Sequence, residues 1–145
     1  VVHRGLLAKF RRDGAALNAG DYGPLLSAYS QDAVLHFHEG AHRWAGTHTG
    51  RASIERFFRD FVQAKIQGEI RDLYFFGPLW RTTLVVRFDD QATDDRGEVV
   101  YKNRAVLVVK TRWGRVVYQE DFYEDTGRIL AFESRLRELG VDPVS

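Results

Sequence analysis

The chain has 145 residues, a formal net charge of +1, 44% hydrophobic and 13% aromatic residues. These values bound it to one folded domain over 1–145 with a core of its own and exclude an intrinsically disordered chain. No basic run gives the footprint of nucleic-acid binding, no apolar run reaches membrane-spanning length, and zero cysteines exclude disulfides and cysteine nucleophiles. Charges run through the first twenty residues, so no signal peptide and a soluble, cytoplasmic protein are expected.

In chain order, residues 4–18 read as a helix with Leu6, Leu7, Phe10 and Leu17 on one face. Gly20 and Asp21 stop it. Pro24 sits near the start of a second short helix through Tyr29, where proline is tolerated. Ala33–His38 is a strand, followed by an irregular or short-strand connection, Glu39–Gly50. Either Thr49 or Ser53 caps a third helix whose stripe is Ile54, Phe57, Phe58, Phe61, Val62 and Ile66, with Gly68 as its end.

The period then changes to that of strands. Glu69–Phe76 is stopped by Gly77-Pro78, and Thr82–Asp90 is followed by a turn cluster, Thr93–Gly97. Val99–Thr111 and Arg115–Glu124 flank the turn Arg112-Trp113-Gly114. Thr126 reads as the cap of a last helix carrying Ile129, Phe132, Leu136 and Leu139, with Gly140 as its stop. The order ααβαββββα implies an α+β fold, helices packed on a curved antiparallel sheet.

The strand after Gly114 carries Gln119, Asp121, Tyr123 and Asp125 on one face and Tyr118, Glu120, Phe122 and Glu124 on the other. Both faces are acidic for a strand that builds a core, and a buried carboxylate is costly unless paired or chemically employed. Alternation alone leaves open which face is buried.

Four pieces in this order resemble the NTF2-like superfamily of cone-shaped α+β domains, in its SnoaL-like and ketosteroid-isomerase-like branches. They are Ala16–Asp21, Tyr29–Val34, Gly46-x-x-x-Gly50-x-x-x-Ile54-x-x-Phe57-Phe58, and Trp113-Gly-Arg-Val-Val117. The resemblance implies an NTF2-like cone with a deep pocket between sheet and helices, and a homodimer through the outer sheet face. It does not imply one chemistry, because isomerases, epoxide hydrolases, polyketide cyclases and non-catalytic binders share the fold. The ketosteroid isomerase set does not transfer: its tyrosine and its two acids fall at Asp13, Phe37 and Val106. The last aspartate of limonene epoxide hydrolases matches Asp121, which the resemblance thereby places on the pocket face with Gln119 and Tyr123. Arg87-Phe-Asp89 imitates the Arg-x-Asp pair of those enzymes, but pairing about the Thr93–Gly97 turn moves the family positions toward Thr83 and Val85.

Asp13 shares the apolar stripe of the first helix with Phe10 and Leu17. Arg104 shares strand parity with Val106 and Val108, taken as the inward side, where a guanidinium would bridge Asp13 and Asp121. The catalytic candidates are therefore Asp121, Asp13, Arg104 and Tyr123. Phe37, Trp44, Tyr101, Gln119 and His38 are the ligand-binding candidates, the last conditional on a strand bulge that turns it inward. His36, His38, His42 and His48 lack the spacing of a metal motif, so neither metal nor cofactor is expected. Cofactor-free acid–base chemistry on a small apolar or cyclic molecule is one expectation; a non-catalytic ligand-binding or dimerisation module is the other.

Overall fold

The computed structural model describes residues 2–144, with side chains from Arg4 onward. Helices α1 (Val2–Asn18) and α2 (Gly23–Ser27) lead into β1 (Tyr29–Phe37), β2 (Gly46–Thr49) and α3 (Arg51–Gln63). Strands β3 (Ile66–Phe76), β4 (Thr83–Thr93), β5 (Val99–Arg112) and β6 (Arg115–Tyr123) follow, and α4 (Thr126–Glu138) closes the chain. The short connection ahead of α3 thus contains a true strand, and the order becomes ααββαββββα. No helix among the described residues is long and apolar enough to cross a membrane.

The sheet runs β2-β1-β6-β5-β4-β3. It is mixed rather than wholly antiparallel: β1 lies parallel to β6, while every other neighbouring pair is antiparallel. Parallel pairing arises because β1 is separated from β6 by most of the chain, with no hairpin to reverse it. Register shifts fall between Tyr29 and Val34, Ile70 and Asp72, Ala92 and Thr93, and Lys110 and Thr111. Such irregularities bend strands, which lets one face wrap helices.

Local signals differ from the sequence reading at four helix ends, the first being α2, which stops at Ser27 so that Tyr29 opens β1. Gly50, at φ 86, is the residue before α3, and neither Thr49 nor Ser53 caps the helix; glycine alone adopts that backbone without penalty. The helix ends at Gln63, not at Gly68, which lies inside β3. The cap of α4 is Asp125, whose carboxylate accepts from the amides of Gly127 and Arg128, so Thr126 is the first helical residue.

The core forms where the aromatic stripe of α3 (Ile54, Phe57, Phe58, Phe61) meets the inward residues of the sheet, including Leu35, Leu84, Val86 and Val116. At one end of it, α4 lays Phe132 parallel to the rings of Tyr101, at 4.6 Å, and Trp44, at 6.2 Å. At the other end α1 packs on β3, which is the sheet edge.

Candidate active site

Between α1, α3 and the inner sheet face lies a cavity of about 260 Å³. Its walls are apolar: Leu17, Phe57, Phe58, Val86, Leu107 and Val109 line it. Arg11 of α1 and Glu69 of β3, both exposed, stand at its mouth. Strand β6 supplies the polar floor, because Gln119, Asp121 and Tyr123 point to the same side.

Asp121 is 7% exposed. The Gln119 amide donates to its Oδ1 at 2.9 Å, and the Tyr29 hydroxyl in turn donates to Gln119 Oε1. That phenol fixes which way the Gln119 amide points. Asp121 Oδ2 has no hydrogen bond to the described residues. Burial pushes its carboxyl up to about 7; the Gln119 bond pulls it down and the negative charge of Asp90 pushes it up. A carboxyl poised there can give or take a proton near neutral pH.

Tyr123 lines the cavity with its ring and donates its hydroxyl to Asp90 Oδ2 at 2.9 Å. Asp90, on β4, is 2% exposed. Burial pushes it up to about 7, and the phenols of Tyr123 and Tyr101 pull it back toward the ionised form. The sequence reading passed over Asp90 for Arg87 and Asp89. The signal was present: Leu84, Val86, Phe88, Asp90 and Ala92 share one strand face.

The other candidates fall elsewhere. Asp13 is buried as the helix stripe implied, at 7% exposure, but it does not line the cavity and is held by Lys9 one turn earlier, at 2.6 Å. Arg104 is on the opposite face from the one expected. Its guanidinium is exposed and pairs with Glu124, and Val106 on the same face is exposed too. The inward residues of β5 are Tyr101, Asn103, Ala105, Leu107, Val109 and Thr111. No bridge from Arg104 to Asp13 or Asp121 exists.

Phe37, Trp44 and Tyr101 wall a separate void of about 10 Å³ beside Asp90, room for about one water at most. They fill that end of the core instead of facing the main cavity. His38 follows β1 and lines neither space; it lies against Phe37, at 4.7 Å between ring centres, and His42, at 4.6 Å. Phe37 does point inward, and no bulge turns His38 toward the cavity. Among the described residues no group of three or more His, Asp or Glu side chains is placed to hold a metal ion.

Comparison with known proteins bears on this geometry. Residues 10–119 match the model of the SnoaL-like domain, a span that stops two residues short of Asp121. Among solved structures, an NTF2-like protein of unknown function from Burkholderia pseudomallei shares 20% identity over 89% of this chain and 97% of its own, with a TM-score of 0.68. TerC co-crystallised with polyporic acid shares 20% over 88% of this chain and 98% of its own, TM-score 0.64. A putative isomerase from Bacillus subtilis shares 16% over 99% of this chain and 98% of its own, TM-score 0.67. At these identities the likeness concerns fold. No functionally curated protein matches the chain by sequence. With a family match over residues 10–119 and an NTF2-like neighbour of the same fold, the chain belongs to the SnoaL-like family of the NTF2-like superfamily.

Proposed function

We propose that this protein takes a small, apolar, cyclic molecule into the cavity and performs cofactor-free acid–base chemistry on it with Asp121. The observation that carries the reading is a buried carboxyl with one engaged oxygen at the floor of an apolar cavity, poised at about 7. Apolar walls with few placed polar groups are the usual make-up of a small-molecule site. In its neutral form Asp121 donates a proton to an oxygen on the bound ring; ionised, it accepts one from carbon or water. Epoxide opening, isomerisation and cyclisation all have that requirement. The co-crystallisation of TerC with polyporic acid and the similarity to a putative isomerase from Bacillus subtilis are in keeping with a small-molecule ligand and isomerase-type chemistry.

A thermal-shift screen of monoterpenoid, steroid and polyketide-like compounds supplies the ligands, since binding to the folded state raises the melting temperature. Hits are then assayed for conversion with wild type and Asp121→Asn. The expected result is turnover by wild type and loss of it in the variant, with binding retained. Equal rates in the two proteins would remove Asp121 from the chemistry.

The absence of Asp13 and Arg104 from the cavity favours a second reading, a non-catalytic binding module. Binding without conversion of any hit by wild type supports it. In either case we propose a homodimer through the outer sheet face. There Phe122 and Val106 are exposed among the balanced pairs Arg104–Glu124, Arg87–Asp72 and Arg71–Asp89. Sedimentation equilibrium checks this: Phe122→Glu should yield monomers where wild type is dimeric.

A further inference from the structure

Asp90 is a buried acid that the proposed chemistry leaves unused. Among the described residues no cation pairs with it. One oxygen takes the Tyr123 hydroxyl at 2.9 Å, and Oδ1 has no hydrogen-bond partner among the described residues. The groups around it are few. From β5 come Tyr101 and Asn103, from β6 Tyr123, and Asp89 is its neighbour along β4, paired outward with Arg71. Helices α3 and α4 and strands β1 and β3 line the adjoining void with Phe57, Phe61, Phe132, Ile129, Phe37 and Ile66; Trp44 joins them from the segment after β1, and the charge of Arg128 on α4 acts on Tyr101. His38 lies beside the ring of Tyr123, at 6.3 Å between centres. On the other side of Tyr123, Asp121 faces Gln119, Tyr29 and the apolar cavity, with Glu120 beside it on β6 and Arg11 and Glu69 only at the mouth.

Two carboxylates flanking one phenol, in apolar surroundings and with no cation paired to either among the described residues, resist ionising together. The hydrogen bonds decide the order. Asp90 accepts from the Tyr123 phenol and has the Tyr101 phenol beside it, whereas Asp121 has a single amide.

We propose that Asp90 is a positioning residue for Asp121: it fixes the Tyr123 phenol at the cavity floor and, once ionised, its charge keeps the proton on Asp121. The pair then holds one proton at neutral pH, and that proton sits on the acid that faces the ligand. This rests on reading Asp121 as the acid of the cavity. It adds a residue with no ligand contact that sets the protonation state of the one that has it.

The test needs no substrate. Carbon-13 NMR of selectively labelled aspartate carboxyls follows titration in the full chain, with the Asp121 signal assigned by its loss in Asp121→Asn. In wild type Asp121 should titrate with a midpoint near 7. Asp90→Asn still accepts from Tyr123 but carries no charge, and there the Asp121 midpoint should fall by about one pH unit or more. Tyr123→Phe removes a donor from Asp90, so Asp90 should titrate higher and Asp121 lower than in wild type. Should Asp90→Asn fold poorly, the Asp90 signal in Asp121→Asn, which should drop relative to wild type, is the reciprocal measurement. An Asp121 midpoint near 7 in both wild type and Asp90→Asn overturns the coupling and leaves the acid–base reading intact. A wild-type midpoint near 4 instead removes the acid–base reading itself.

Discussion

Gln119 and Asp121 stand two residues apart on β6, and the amide of one donates to the carboxyl of the other at 2.9 Å. Among the described residues no cation pairs with it, so burial dominates and Asp121 keeps its proton to about 7, far above the 3.8 of an exposed aspartate. Between those values the folded state binds a proton that the unfolded state releases. Stability from this group is complete below pH 4 and is lost as pH rises through 7. Asp121→Asn removes that dependence. Urea denaturation should show the variant more stable than wild type at pH 8, with the difference shrinking by about 1.4 kcal/mol per pH unit between 7 and 4.

His42 titrates with the opposite sign. It is buried against Phe37 and His38, and neither ring nitrogen has a hydrogen-bond partner among the described residues. Burial lowers it to about 4, the charge of His38 adds to the effect, and Glu133 opposes it. Between 6.5 and 4 the unfolded chain takes up a proton that the folded chain refuses, so this stability is present above 6.5 and lost as pH falls to 4. His42→Leu should therefore lose less stability than wild type over that window. A variant with the same acid sensitivity as wild type would mean that His42 stays accessible to protons in the fold.

The edge strand β3 depends on a missing side chain. A Cβ at Gly68 would lie 2.0 Å from Phe88 Cζ, so the Phe88 ring lies across the glycine. Asn18 holds the same residue by both edges, donating to Gly68 O and accepting from Gly68 N, each at 2.8 Å. Phe88 also lines the cavity. Gly68→Ala should force the ring aside and cost about 1–3 kcal/mol, as overpacking generally does. Phe88→Leu in the same chain should recover part of the loss, read as a coupling in a double-mutant cycle.

How much of this was legible in the sequence depends on the kind of signal. Helix stripes carried far: the buried residues of α3 include the Ile54, Phe57, Phe58 and Phe61 of the periodic reading. Asp13 was correctly placed on a buried stripe, yet periodicity cannot show that its carboxylate turns back to Lys9. Strand faces were harder. In β5 valines occupy both parities, and taking Val106 and Val108 as inward put Arg104 inside. The charges Lys102, Arg104, Lys110 and Arg112, all on one parity, mark that face as solvent. Gly68 looked like a helix stop because a glycine under an aromatic ring from a neighbouring strand leaves no local trace. Asp90 was hidden by the more conspicuous Arg87 and Asp89 on the other face. Turn and cap chemistry misled by one residue at α4, where Asp125 precedes Thr126 and both are capping types.

On the proposed reading the ligand occupies the cavity beneath α1. Gly14 tests it with little risk to the fold, since it lines the cavity and a Cβ there would meet nothing within 4 Å. Gly14→Ala should raise stability by about 1 kcal/mol, the helix preference of alanine over glycine. Gly14→Phe carries a side chain large enough to intrude on the space. Isothermal titration of wild type and both variants with one monoterpenoid, limonene oxide, is the direct measurement. Wild type and Gly14→Ala should bind, with at least a tenfold loss in Gly14→Phe; equal affinity in all three would place the ligand elsewhere.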